Sequence, residues 1–388
     1  MAGGGGGGNG WIGVLGLGTA LCAAAYGLEH AAVGPHALVG GLFAVGGLMV
    51  VFGSCEAMIL AVQGVGARLG WNEFVAGNMA GLASNVPEIV MLAFVVAAQP
   101  RVAFVVVALT LHVNALVFGI YSALLPRDAS GQARMPEALV RISTDLVAAG
   151  GGVFLATGSL MLAMRVFGTG DHGGDGLSVA DLAMLGVVLL LVQAVATVEL
   201  IRRSPAREGG EAASSEPSEP PPGWGRIGTY AAVGGVASVL GGHSVGDFAD
   251  LLVEALTARG YPEMIGALVL SVFAGAGAFV MMITAHTKKM YDIALAGISG
   301  AITQVPFVVL PSVLLLMAAM AQLGVIPRLE SGAVLPIDLE TTSVILLAFP
   351  PMLILYKSVQ DDGKVNWVET AGMLAVFAVT TYLLAQHG

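Results

Sequence analysis

Residues 77–88 read Gly77-Asn78-Met79-Ala80-Gly81-Leu82-Ala83-Ser84-Asn85-Val86-Pro87-Glu88. They lie in an apolar stretch, 74–98, long enough to cross a bilayer, so a hydroxyl, an amide and a carboxylate stand where hydrocarbon is expected. An ionisable group inside a membrane is costly and by default marks a pathway, a proton relay or an ion site. Pro87 withdraws one backbone hydrogen bond just before Glu88, and a helix broken there exposes carbonyl oxygens beside the carboxylate. Ser84, Asn85 and Glu88 fall within about one helical turn and share a face. Carbonyl, amide and carboxylate oxygens are the ligands a hard cation such as Ca²⁺ or Na⁺ takes. The other reading is a kinked helix in which Glu88 stays protonated against a neighbour.

The rest of the chain supports a membrane setting. Of 388 residues, 56% are hydrophobic and 11% charged, against about 25% charged in a soluble domain. That excludes a water-soluble enzyme. The sequence predicts an all-α polytopic membrane protein with eleven spans near 11–28, 37–64, 74–98, 102–125, 139–165, 179–201, 226–256, 264–286, 290–322, 340–357 and 367–385. Pro306 and Pro311 are expected to break or kink the long ninth span. With eleven spans, 12 of the 16 basic residues fall on the side of the N-terminus and only Arg101, Arg165, Arg259 and Arg328 on the other. By the positive-inside rule the N-terminus is cytoplasmic and the C-terminus external. The lack of eukaryotic targeting features points to a bacterial inner membrane.

Five stretches follow from this count. Residues 1–10 form a glycine-rich tail without the basic residues of a secretory signal, and 11–36 hold an extra first helix. Residues 37–201 hold five helices, 202–225 an acidic Pro/Ser-rich cytoplasmic linker, and 226–388 five more. Five spans per group put two copies of a repeat in opposite orientations, the inverted-repeat plan of many transporters. Sliding the second group on the first by 190 positions sets Gly260-Tyr261-Pro262-Glu263 on Gly70-Trp71-Asn72-Glu73, and Gln304 on Asn114.

Other polar groups interrupt apolar runs. Thr110, His112 and Asn114 do so in the fourth span. Asn114 completes an oxygen cage on one reading, and His112 is either a proton acceptor or a histidine bonded to a neighbouring helix. His243, Asp247, Asp250 and Glu254 in the seventh span share one face, which reads as an access path for cations or as an ordinary solvated stripe. Cys22 and Cys55 read as small core residues. The net charge of −10 excludes nucleic acid as a partner. No phosphate loop, zinc-protease motif or nucleophile elbow is present, so no enzymatic activity and no cofactor is expected. The expected partners are small inorganic cations, protons and the lipid bilayer, and no oligomeric state follows from the residues.

These residues resemble the calcium/cation antiporter (sodium/calcium exchanger) superfamily, most closely its calcium/proton exchanger branch. Ser84-Asn85-Val86-Pro87-Glu88 is similar to the Gly-Asn-Ala-Pro-Glu motif of the family's first repeat, and Leu109 through Asn114 to its Gly-Ser-x-x-Gly-Asn. Lys289-Met290-Tyr291-Asp292-Ile293-Ala294-Leu295 and Gly300-Ala301-Ile302-Thr303-Gln304 resemble motifs of the second repeat. Asp361-Asp362-Gly363-Lys364-Val365-Asn366-Trp367-Val368-Glu369 resembles the branch's Asp-Gly-x-x-Asn-Trp-x-Glu signature. The resemblance implies two inverted five-helix repeats after an extra helix, and calcium/proton exchange by alternating access. It assigns Glu88, Asn85, Ser84, Thr110, Asn114, Thr303 and Gln304 to cation and proton binding, with Glu88, Asn85 and Asn114 as ligands of the transported cation. Glu56, His112, His243, Asp247 and Asp250 fall to the access path.

One departure bears on the ion. The second repeat of the family ends its motif in glutamate, and that position here is Ala278, within Phe273-Ala274-Gly275-Ala276-Gly277-Ala278-Phe279. A buried divalent ion needs close to two compensating charges. With Glu88 alone, monovalent cation/proton exchange, or a transport-inactive sensor or scaffold, stands as the alternative unless Glu56 or Asp247 supplies a second carboxylate.

Overall fold

The computed structural model describes residues 10–71, 73–134, 137–167, 176–203, 222–287, 291–360 and 363–387. Its helices are α1 (Gly10–His30), α2 (His36–Leu69), α3 (Glu73–Ala98), α4 (Pro100–Leu124), α5 (Glu137–Phe167), α6 (Val179–Arg203), α7 (Trp224–Thr257), α8 (Glu263–Ala274), α9 (Ala276–Thr287), α10 (Tyr291–Gln304), α11 (Leu310–Gln322), α12 (Leu339–Leu346), α13 (Phe349–Gln360) and α14 (Trp367–His387). Each of the eleven expected spans corresponds to one helix or to a consecutive pair. Nine helical segments among the described residues are long and apolar enough to cross a membrane, and α8 and α14 are shorter apolar helices.

Proline chemistry accounts for two of the three interruptions. Pro306 lacks an N–H, and the chain between α10 and α11 widens into a π-helical turn, Val305–Val309, in which the Leu310 N–H reaches the Val305 carbonyl. The expected kink is thus an extra residue inserted into an otherwise continuous run. Between α12 and α13, Pro350 and Pro351 offer no N–H to the carbonyls of Leu346 and Leu347, and the helix restarts at Phe349. The third interruption, at Gly275 between α8 and α9, has no proline. Pro87 behaves differently from the expectation: α3 runs unbroken from Glu73 to Ala98 with the proline inside it. One lost bond, at the Ala83 carbonyl, does not unwind a helix in which every other turn is closed.

The chain divides into two compact units. The first comprises residues up to Met91 and Ala194–Leu251, and so contains α1, α2, most of α3 and most of α7. Here α1 and α2 touch backbone to backbone. A Cβ on Gly18 would stand 2.9 Å from the Gly46 carbonyl oxygen and 2.7 Å from Met49 Cβ, the close approach that small residues permit between membrane helices. Small residues also seat α7 on α2: a Cβ on Gly47 would meet Val245 at 2.8 Å, and Ser54 Oγ donates to the Gly234 carbonyl at 2.6 Å.

The second unit, Leu92–Gln193 with Leu252–Gly388, is built around α4, which is buried along most of its length. Helices α8, α10, α12 and α14 pack on it. Arg101, at the start of α4, ties three helix ends together, with Glu263 of α8 at 3.3 Å, Asp338 before α12 at 2.8 Å and Glu340 of α12 at 2.6 Å. At the other end of α4, strand β1 (Ala133–Arg134) pairs antiparallel with β4 (Lys364–Val365). The Arg127 guanidinium donates to the carbonyls of Ser122, Gly131 and Val365 and to Thr370 Oγ1, and lies 3.8 Å over the Trp367 ring. A second two-residue pair joins β2 (Gly176–Leu177) to β3 (Leu335–Pro336).

Candidate functional site

In the first unit, α3 carries Ser84, Asn85 and Glu88. Asn85 is buried and held in an interaction of its own. Glu88 is half-buried as a residue, yet its Oε1 is fully enclosed and accepts no hydrogen bond. A buried carboxylate oxygen without a donor is expensive. Ser84 spends its hydroxyl hydrogen on the Gly81 carbonyl at 2.7 Å, so only its lone pairs remain for a ligand. Cys55 of α2 is more than a packing residue. Its thiol reaches the Ser84 carbonyl at 3.5 Å and lies within electrostatic range of both Glu88 and Glu56. Its only sequence signal was the carboxylate that follows it.

In the second unit, Thr110, His112 and Asn114 of α4 are all almost fully buried. Thr110 Oγ1 donates to the Val106 carbonyl at 2.8 Å, and His112 Nδ1 lies 3.0 Å from the Ala108 carbonyl. Asn114 Oδ1 is enclosed without a hydrogen bond among the described residues, while the His112 ring also faces the Leu347 backbone. Asn114 Oδ1 points at the interruption between α8 and α9, where a Cβ on Gly275 would stand 3.0 Å from it. The same Cβ would meet the Phe279 ring at 2.5 Å. Gly275 is the position set on Asn85 by the 190-residue offset, the Phe279 ring packs against it, and Ala278 carries no acid. On α10, Thr303 Oγ1 donates to the Gly300 carbonyl at 2.9 Å, and Gln304 is buried with partners of its own. Both residues immediately precede the π-helical turn.

The stripe on α7 is anchored rather than open. Asp247 Oδ2 accepts from Tyr26 of α1 at 2.7 Å and lies 2.9 Å from His243 Nδ1. Asp250 and Glu254 are exposed. Tyr26 carried no sequence signal, because its partners are more than 200 residues away. Arg101 was legible only as a charge, for the same reason. Among the described residues no three His, Cys, Asp or Glu side chains converge on a point. Lys289, Met290, Asp361 and Asp362 lie outside the described residues, as does most of the linker, 204–221.

The Asn-Trp-x-Glu part of the signature is a helix cap. Asn366 Oδ1 accepts from the N–H groups of Val368 and Glu369, and Glu369 Oε2 accepts from the Asn366 N–H, a reciprocal box at the start of α14.

The fold is that of a polytopic helical membrane protein. The family model for sodium/calcium exchanger proteins matches residues 229–386. The structure of native YfkE superposes with a TM-score of 0.62 at 13% identity, covering 97% of this chain and 99% of that one. An H⁺/Ca²⁺ exchanger, CAX, gives 0.65 at 11%, covering 96% and 90%. The sodium-calcium exchanger NCX_Mj gives 0.53 at 14%, covering 88% and 97%. No curated protein matches the chain in sequence. The family model over the C-terminal part of the chain agrees with the resemblance to the calcium/cation antiporter superfamily, and the solved structures share its fold.

Proposed function

We propose that this chain is a secondary cation/proton antiporter in which Glu88 alternates between binding a cation and binding a proton. The observation that carries the reading is the enclosed, partnerless Oε1 of Glu88 in the middle of an apolar helix. Such an oxygen is satisfied in turn by a cation or by a proton. Asn85 and Ser84 on the same helix supply neutral oxygens. Alternating access follows from rocking of inverted repeats, the mode general to such transporters.

Calcium is the cation that the names of the solved relatives suggest. One observation favours a monovalent ion: Ala278 brings no charge and the Phe279 ring fills the place beside Gly275. A flux screen in proteoliposomes under an imposed pH gradient, over Ca²⁺, Na⁺, K⁺ and Mn²⁺, decides between the two. The antiporter reading is lost if no ion moves, or if Glu88→Gln moves it as fast as the wild type.

A further inference from the structure

Two helices of the first unit bring three donor atoms to one point. His243 and Asp247 stand one turn apart on α7, a spacing that places both side chains on one face. Tyr26 approaches from α1. The three separations are 2.7 Å from Tyr26 Oη to Asp247 Oδ2, 2.8 Å from Tyr26 Oη to His243 Nδ1 and 2.9 Å from His243 Nδ1 to Asp247 Oδ2. This near-equilateral triangle has three edges, and the phenol and the imidazole nitrogen bring at most two hydrogens to it. Two edges at most receive a hydrogen of their own, and the third does not.

The geometry points to a binding site for a small first-row transition dication, formed by His243 Nδ1, Asp247 Oδ2 and Tyr26 Oη, which does not use Glu88. Nitrogen and oxygen donors bind such ions at about 2.0–2.1 Å, so two donors at right angles about the metal stand roughly 2.9 Å apart. The observed triangle therefore has the dimensions of one face of an octahedron, and an ion above it engages all three donors without moving the helices. Calcium suits the face poorly: its bonds of about 2.4 Å spread adjacent donors to roughly 3.4 Å, and it takes oxygen over imidazole. The imidazole ligates through Nδ1 with its hydrogen on Nε2, the carboxylate brings one charge, and the phenol turns its hydrogen outward and stays neutral. The His243 side chain is 53% exposed and that of Asp247 27%, so protein does not cover the opposite face.

The donors are held in place before any metal arrives. The Tyr26 ring stands edge-on to Phe43 with centroids 4.8 Å apart, and the glycine contact of α1 with α2 fixes the helix that carries it. Preorganisation of this kind separates a site from a chance meeting of polar groups.

The test uses untagged full-length protein in detergent, stripped with chelator and titrated with Co²⁺ by calorimetry and visible absorption. The expected result is one ion per chain. Binding should weaken at least ~10-fold in His243→Gln and in Asp247→Asn, and by a smaller factor in Tyr26→Phe. Glu88→Gln should bind as the wild type does, so loss of ion flux and loss of this site are read separately. No binding tighter than ~1 mM, or binding that survives both His243→Gln and Asp247→Asn, overturns the site. Equal affinity in Tyr26→Phe overturns its third donor. Should the variants aggregate, pulsed EPR of wild-type protein with one equivalent of Mn²⁺ decides: imidazole nitrogen coupling is expected, and its absence rejects the assignment.

Discussion

Glu88 on α3 and Gly275 between α8 and α9 are the residues whose replacement is most informative. Glu88→Gln keeps the shape of the side chain while removing the charge. The variant should fold, with a thermal midpoint equal to or above that of the wild type, and lose at least ~10-fold in proton-driven cation flux. A lower midpoint would mean that the carboxylate supports the fold instead. At Gly275 a methyl group collides with Phe279, and Gly275→Ala should destabilise by about 1–3 kcal/mol. Adding Phe279→Ala should recover part of that loss, as measured by a double-mutant cycle on thermal unfolding. Additive losses would show that the ring and the glycine are not coupled. The sequence made the first of these residues legible and hid the second. A carboxylate in an apolar run announces itself, whereas Gly275 is one small residue among several, and only the packed ring of Phe279 shows what it leaves room for.

Among the elements, α14 and the turn before it reveal what a polar motif can mean. Asn366-Trp367-Val368-Glu369 looked like a signature of activity, and its atoms are occupied in capping α14 and in stacking against Arg127. Asn366→Ala should cost about 1 kcal/mol, read as a lower thermal midpoint with ion flux retained. Lysine cannot reproduce the four hydrogen bonds and the stacking of Arg127, so Arg127→Lys should cost more, about 1–3 kcal/mol. Beside it, the Ser130 hydroxyl, the Gln132 N–H and the Lys364 ammonium hold the Asp128 carboxyl well below the usual carboxylate range. A depressed folded value means that the stabilisation is present above the unfolded carboxylate value of about 3.9 and is lost as the pH falls below it. Asp128→Asn should therefore change stability equally at pH 6 and pH 8 and least in strong acid. The helices themselves were legible almost to their ends, because apolar length is a property of local composition. Their interruptions were less so. Proline predicted the widened turn before α11 correctly in place, and wrongly predicted a break in α3, since a proline removes one bond and the neighbouring packing decides whether the helix yields.

For the molecule as a whole, the eleven spans expected from the sequence predict that the two ends of the chain lie on opposite sides of the membrane. Reporter fusions at the C-terminus and at the 202–225 linker should accordingly read opposite compartments, and identical readings would remove one span from the count. That expectation rests on the distribution of arginine and lysine along the sequence. The contacts of Tyr26, Cys55 and Arg101 were not legible there, because their partners are distant in sequence. The glycine contact between α1 and α2 carries a consequence for biogenesis. Those two helices need no residue translated later in order to fit each other, so the nascent chain can deliver them to the lipid as a finished hairpin. Bulk introduced at Gly18 or Gly46 would then show first as a defect of insertion during synthesis, before any mature protein exists to be unstable.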